Sequence, residues 1–289
     1  MKHSSSLVFS TLCFIWGSTW LAIKVGLSTL PPFLFAGIRF AIASIVLMIL
    51  VRLLHARIPR DRYSWIVMLF LGVFQISLPY GLVFWGEQYI SSGLSAVLFA
   101  TMSFFVLFFA HVLIRAESMT RRRILGVVAA FAGLAIIFWR DLVSAQASLF
   151  EFLGSIACVG SAVSGGLANV VAKKCASNID PAANVFVQSI IGTILLSSMG
   201  LLTEVGIPLA WDFTSVQAVL YLGIVGSALA FVGLYWLLTK TSATNTSLIV
   251  FITPIVALIL GWLMLGETLE PILALGTFLI LASVYFTVK

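Results

Sequence analysis

Trp16, Trp20 and Lys24 stand at i, i+4 and i+8 in the stretch FIWGSTWLAIKVG, residues 14–26, so two indole rings and one ammonium share roughly one helical face. Such a face could hold an apolar or aromatic solute against the rings and a carboxylate against the lysine. The competing reading is packing, since tryptophan is enriched at membrane interfaces and a lysine near a helix end extends its stem to water. Polar or adaptable groups recur at comparable depth: Gln75 and Tyr80, Met102 and Ser103, Asn169, Ser227 and Tyr235, and Thr253. As a set they describe a cavity suited to a neutral or zwitterionic solute with an apolar side chain.

Other chemistries find no support in the residue pattern. No compact His/Asp/Glu/Cys constellation sits at one membrane face or on a long loop, as a membrane enzyme would need. There is no GxxxxGK[ST] loop for nucleotide hydrolysis. Cys13, Cys158 and Cys175 form no CxxC pair and have no paired histidine, so they read as small core residues; neither a metal nor a cofactor is expected. Glu87, Glu117 and Glu267 fall at the ends of apolar runs and His111 lies close to Arg115. A titratable group at mid-depth is the usual mark of a proton-driven pump, so gradient-driven movement or exchange is expected.

The elements that must position these residues follow from composition. Of 289 residues 61% are hydrophobic and 9% charged, with a mean hydropathy of +1.16, far from soluble domains. The apolar runs have the length of membrane-crossing helices, about 20 residues, and none alternates like a barrel strand. Breaks at charges, prolines and polar clusters predict ten spans, at about 6–26, 32–54, 64–86, 92–114, 121–139, 149–172, 181–203, 215–238, 244–265 and 271–288. The basic Met1-Lys2-His3 start and the apolar run past residue 23, with no small-x-small cleavage site, read as a true first span. Of the 16 Lys and Arg, all but Lys24, Arg39 and Arg140 fall on one side if the N-terminus is cytoplasmic, which predicts N-in and C-in. The net charge of +6 therefore belongs at membrane edges and does not call for nucleic acid.

An offset of 150 residues aligns Arg115-Ala116-Glu117-Ser118 with Leu265-Gly266-Glu267-Thr268, Gly126 with Gly276, and Ala132 with Ala282; at 149, Lys24 meets Lys173 and Pro32 meets Pro181. Two five-span halves, 6–139 and 149–288, are predicted, and the odd number of crossings turns the second upside down. Inverted repeats permit alternating access around a site between them. The positions matching Trp16, Trp20 and Lys24 are Gly165, Asn169 and Lys173, so a bulky face would oppose a small, polar one. Pro79 and Pro254 are candidate hinges, each freeing a carbonyl four residues back. Arg39, some 10 Å deep by the rise per residue, is expected to form an ion pair with Glu87. Small residues in span five, Gly126-x-x-x-Ala130 and Ala129-x-x-x-Gly133, suit packing within the bundle, which favours a monomer, or a dimer seam through spans five and ten.

Trp16-Gly17-Ser18 followed by Lys24, the Pro254 to Glu267 spacing and the 5+5 organisation resemble the drug/metabolite transporter superfamily, in particular its EamA-type members, over nearly the whole chain. The resemblance implies transport of small organic solutes, commonly export of amino acids or related metabolites, in a bacterial inner membrane, through a cavity lined by spans one to four and six to nine. One departure is Phe104 where the repeat would place the partner of Pro254. The aromatic face points to amino acids with large apolar or aromatic side chains. Other metabolites or drugs, sugar derivatives included, and a channel or membrane enzyme are the alternatives, while phosphorylated solutes would want more buried cations than Lys24 and Arg39 supply.

Overall fold

The computed structural model describes residues 3–114, 121, 125–126, 128–129, 132–133, 135–136, 148–240, 249–268 and 271–288; its elements, in chain order, are all helical, with no strand among the described residues. The helices fall where the sequence puts nine of the spans: His3–Gly26, Pro32–Leu53, Arg62–Gly86, a broken fourth from Ser92 to Ile114, Leu149–Cys175, Pro181–Thr203, Phe213–Lys240, Ile249–Leu265 and Pro271–Val288. Most of span five, with Ala130 and Arg140, lies outside the described residues. Seven of the described helices are long and apolar enough to cross a membrane. Large apolar side chains such as Ile45, Ile49, Phe108, Ile194 and Trp262 remain exposed on their outer faces, as on a surface solvated by lipid. The chain is a multi-pass integral membrane protein.

Local chemistry explains where the helices begin. Proline opens spans two and seven, where a missing N–H removes no helical bond. Asp61 and Asp212 cap spans three and eight, each accepting from a serine N–H three residues on, Ser64 at 2.8 Å and Ser215 at 2.6 Å. The two Asp-x-x-Ser caps occupy corresponding places in the two halves.

Spans three and eight share a second feature. Each contains a π-helical stretch, Gly72–Ser77 and Tyr221–Leu229, and the 150-residue offset lays one upon the other. In span three the stretch precedes Pro79, which lies at the start of the following α-helical segment. Span eight widens without a proline, so the proline is not the common cause; π turns of this kind interrupt the regular ladder and gather at functional sites. Freed carbonyls are taken up by hydroxyls: Ser77 Oγ donates to the Gly72 carbonyl and Ser164 Oγ, from span six, to that of Phe74, both at 2.8 Å.

Spans four and nine differ in continuity. Pro254 lies inside the uninterrupted helix Ile249–Leu265, whereas span four, with Phe104 in place of proline, breaks at Thr101 between Ser92–Ala100 and Met102–Ile114. The buried Thr101 hydroxyl donates to the Leu98 carbonyl at 2.6 Å and its N–H reaches the same oxygen at 3.2 Å, while the Phe104 N–H returns to the Thr101 carbonyl at 2.9 Å. Consecutive i to i−3 bonds tighten the turn and end the α-helical run.

Spans two and seven lie along each other; span three packs on span six and span one on span eight; span six meets span four and span one meets span nine. Every such pair joins the two halves. Close approach depends on small residues: a Cβ at Gly37 would collide with Ser197 of span seven, standing 2.9 Å from its backbone nitrogen. At Gly133 a Cβ would stand 2.8 Å from the Gly276 carbonyl, so this small residue of span five is used against span ten of the same chain. A core of Trp20, Phe35, Phe40, Phe84, Leu196 and Leu222 spans both halves.

Two outcomes are expected. Gly37→Val forces spans two and seven apart, costing about 1–3 kcal/mol as other overpacking does, and Ser197→Gly restores part of the loss; thermal unfolding in detergent measures both. Backbone hydrogen bonds from Ser64 and Ser215 hold the Asp61 and Asp212 carboxyls below the ordinary carboxylate range. Their stabilising effect is complete above the unfolded value, about pH 4, and is lost as pH falls through the lower folded value. Acidification therefore lowers the amide protection factors in the first turns of spans three and eight, and in Asp61→Asn with Asp212→Asn it no longer does.

Candidate functional site

Three side chains of the first half reach across to the π-helical stretch of span eight. Trp16 Nε1 donates to the Gly226 carbonyl at 3.2 Å. The Ser18 and Tyr221 hydroxyls lie 2.6 Å apart. Arg39 Nε donates to Ser227 Oγ at 3.0 Å. A Cβ at Gly226 would stand 2.8 Å from the Thr19 methyl and one at Gly223 would stand 2.8 Å from Ile42, so the glycines of the stretch let spans one and two come this close.

Arg39 is the largest of the fully buried side chains, 1% exposed. Its guanidinium carbon lies 4.7 Å from the Tyr80 ring centre, 5.3 Å from Phe40 and 5.8 Å from Phe84, an arrangement in which ring faces partly replace lost hydration. Nη1 has no hydrogen-bond partner in the protein. The expected ion pair with Glu87 is not made: Arg39 turns to Ser227, and neither Glu87 oxygen receives a hydrogen bond. The reason is topological, because span eight of the other half runs against Arg39 and supplies a nearer acceptor.

Lys24, read from the sequence as facing a solute carboxylate or reaching for water, is held by backbone. Its ammonium donates to the carbonyls of Glu87 at 2.7 Å, Gln88 at 3.4 Å and Ile90 at 2.7 Å. It thus closes the C-terminal end of span three, where a cation also meets the negative end of the helix dipole. Two carboxylates at the same end of the bundle serve helix starts. Glu204, just after span seven, accepts from the Phe33 and Leu34 N–H groups at 2.7 and 2.9 Å. Glu267, just after span nine, accepts from the Ser92 and Gly93 N–H groups at 2.7 and 3.2 Å.

The remaining residues divide. Trp16 packs edge-on against Phe231 with centroids 5.9 Å apart, and Trp20, nearly buried, leans on Phe99 at 5.4 Å. Tyr80, against Phe40 at 4.8 Å, joins Arg39 and Ser227 in one cluster. Asn169 Nδ2 donates to the Gly165 carbonyl at 2.9 Å and approaches Met102 Sδ at 3.8 Å, so Met102 fills the space that Gly165 leaves. Gln75 sits in the π-helical stretch of span three, partly buried. Ser103 and Thr253 are partly buried on spans four and nine. The Tyr235 side chain lies outside the described residues. Among the described residues no group of three or more His, Cys, Asp or Glu could hold a metal.

Ser18, Tyr221, Glu204 and the capping use of Glu267 were not foreseen. Ser18 stood in the opening motif, and the alignment of Glu267 with Glu117 was visible, but a cap is defined by its helix start, which lies 175 residues away in the chain.

The model for the EamA-like transporter family matches the chain twice, at residues 3–139 and 152–289. The uncharacterized transporter YoaV of Bacillus subtilis (strain 168) is 29% identical over 95% of this chain and 93% of its own length. Protein PagO of Salmonella typhimurium (strain LT2) is 26% identical over 89% and 83%, and the uncharacterized inner membrane transporter YedA of Escherichia coli (strain K12) is 28% identical over 92% and 85%. One solved crystal structure superposes with a TM-score of 0.67 over 99% of this chain and 96% of that one at 17% identity, a likeness of fold.

Lys24→Met removes three charge-assisted donors from one helix end. It is expected to cost about 2 kcal/mol and to speed amide exchange across residues 87–92, read by unfolding and exchange in lipid nanodiscs; unchanged exchange there would refute the closing role.

Proposed function

The chain belongs to the EamA-like transporter family, and from that premise we propose that it exports amino acids with large apolar or aromatic side chains across a bacterial inner membrane by alternating access between its two halves. The N-terminus and the end carrying Asp61 and Asp180 are cytoplasmic; the end carrying Lys24, Glu204 and Glu267 faces outward. The carrying observation is the cluster around Arg39: a fully buried guanidinium, one nitrogen without a protein partner, edged by Tyr80, Phe40 and Phe84 and tied to the opposite half through Ser227. A single deep cation suits a carboxylate, and the adjoining rings, with Trp16 and Trp20, suit an apolar side chain.

Alternating access draws support from the double family match and from corresponding π-helical stretches in spans three and eight. It is also consistent with packing in which every major contact pair joins one half to the other. The name of the Escherichia coli relative, an inner membrane transporter, supports the location. Trp16, Trp20, Gln75, Tyr80, Met102, Ser103, Asn169, Ser227, Tyr235 and Thr253 are assigned to the wall of the path, and the π-helical stretches, rather than Pro79 and Pro254 alone, to its bending. The transporter works as a monomer.

Counterflow in proteoliposomes at equal pH inside and out tests the substrate class. Labelled L-phenylalanine and L-tryptophan exchange saturably, L-lysine, a sugar and a cationic drug do not, and Arg39→Lys lowers the phenylalanine rate at least about tenfold, the cost of about 1.4 kcal/mol at one site. Exchange of the sugar or the drug without the amino acids would overturn the assignment.

A further inference from the structure

Glu87 follows span three directly and is fully buried, 0% exposed, with neither carboxyl oxygen receiving a hydrogen bond from the protein. Charged and titratable groups face it from four directions: Lys24 on span one, Arg39 on span two, Glu267 after span nine, and the Cys158 thiol on span six. Both cations are engaged elsewhere, Lys24 with backbone carbonyls and Arg39 with Ser227. Span four adds the hydroxyls of Ser92 and Ser95, both fully buried, Ser95 beside the Cys158 thiol. An ionised carboxylate in such surroundings forfeits its hydration and gains no donor in exchange.

What keeps water from Glu87 is a contact between halves. A Cβ at Gly86 would stand 2.6 Å from the Gly154 carbonyl and 3.2 Å from Cys158 Sγ, and one at Gly154 would stand 2.8 Å from the Gly86 carbonyl. Spans three and six therefore touch backbone to backbone beside the carboxyl, and they belong to opposite halves.

We propose that Glu87 is a proton-binding site that couples the parting of the halves to the outside pH. With Gly86 against Gly154 the carboxyl carries its proton. When spans three and six separate on the outer side, water reaches Glu87, the O–H bond breaks, the proton passes to that water, and the carboxylate is left beside Lys24. Closing requires a proton to be taken back. The sequence placed Glu87 at a span end in an ion pair with Arg39; buried without a donor, it is instead a titratable group whose charge must change as that end opens. The inference rests on alternating access and adds a dependence on outside pH to its outward-opening step.

The buried native thiol of Cys158 reports the opening. In the full chain in nanodiscs of phosphatidylethanolamine and phosphatidylglycerol, a membrane-impermeant maleimide is reacted across about pH 5 to 9, a range that spans ordinary and raised carboxyl values, and Cys158 is followed by peptide mass spectrometry. The rate in the native chain climbs more steeply with pH than in Glu87→Gln, by up to about tenfold per pH unit, the limit for one linked proton. Glu87→Asp keeps the steep dependence. The variant shares the thiol's own titration, so equal slopes in the native chain and Glu87→Gln would overturn the proposal. Should Glu87→Gln not give monodisperse protein, infrared difference spectra of the native chain decide, since a protonated-carboxyl band that fails to titrate refutes it. Counterflow at equal pH involves no proton gradient, so loss of the amino-acid assignment and loss of the Glu87 assignment are separate results.

Discussion

A helix that ends inside a protein buried in lipid leaves N–H and C=O groups that must find partners within the chain. At one end of this bundle those partners are charged side chains, and two of the three cross between halves. Glu204 and Glu267, both from the second half, close the starts of spans two and four, both from the first. Lys24 closes the end of span three. With that end fixed, the seam of spans two and seven, the burial of Glu87 and the placement of Arg39 follow from close packing of small residues around it.

The same economy of charge separates two kinds of ionisable group. Glu204, Glu267 and Lys24 have their valences filled by backbone, which makes them parts of the frame. Arg39 and Glu87 are buried deeper and filled less, Arg39 lacking a partner at Nη1 and Glu87 at both oxygens. A buried ionisable group with open valences is costly unless it is neutralised or paired, and such groups gather at functional sites. That places the adaptable chemistry on two residues and leaves the tryptophans as shape.

Much of the fold was legible in the sequence, because hydropathy and helix length are local properties: nine spans fall within a few residues of their expected limits. The break in span four was not, since it depends on Thr101 folding its hydroxyl back on Leu98, a bond any mid-span threonine could make. The partner of Arg39 was out of reach because Ser227 lies 188 residues away, on a helix of the other half. Glu87 was misplaced for a different reason. Rise per residue gives depth along a helix, but exposure depends on what covers its end, here spans one, six and nine.

The crossed caps also bear on how the chain is made. Spans two and four leave the ribosome long before residues 204 and 267 exist, so the N–H groups of Phe33, Leu34, Ser92 and Gly93 must at first be held by water or lipid headgroups at the interface. The N-terminal half is thus an unfinished piece of masonry until the C-terminal half arrives with its two carboxylates. Spans two and four are therefore the last to have their first turns closed, because each waits on a carboxylate from the other half of the chain.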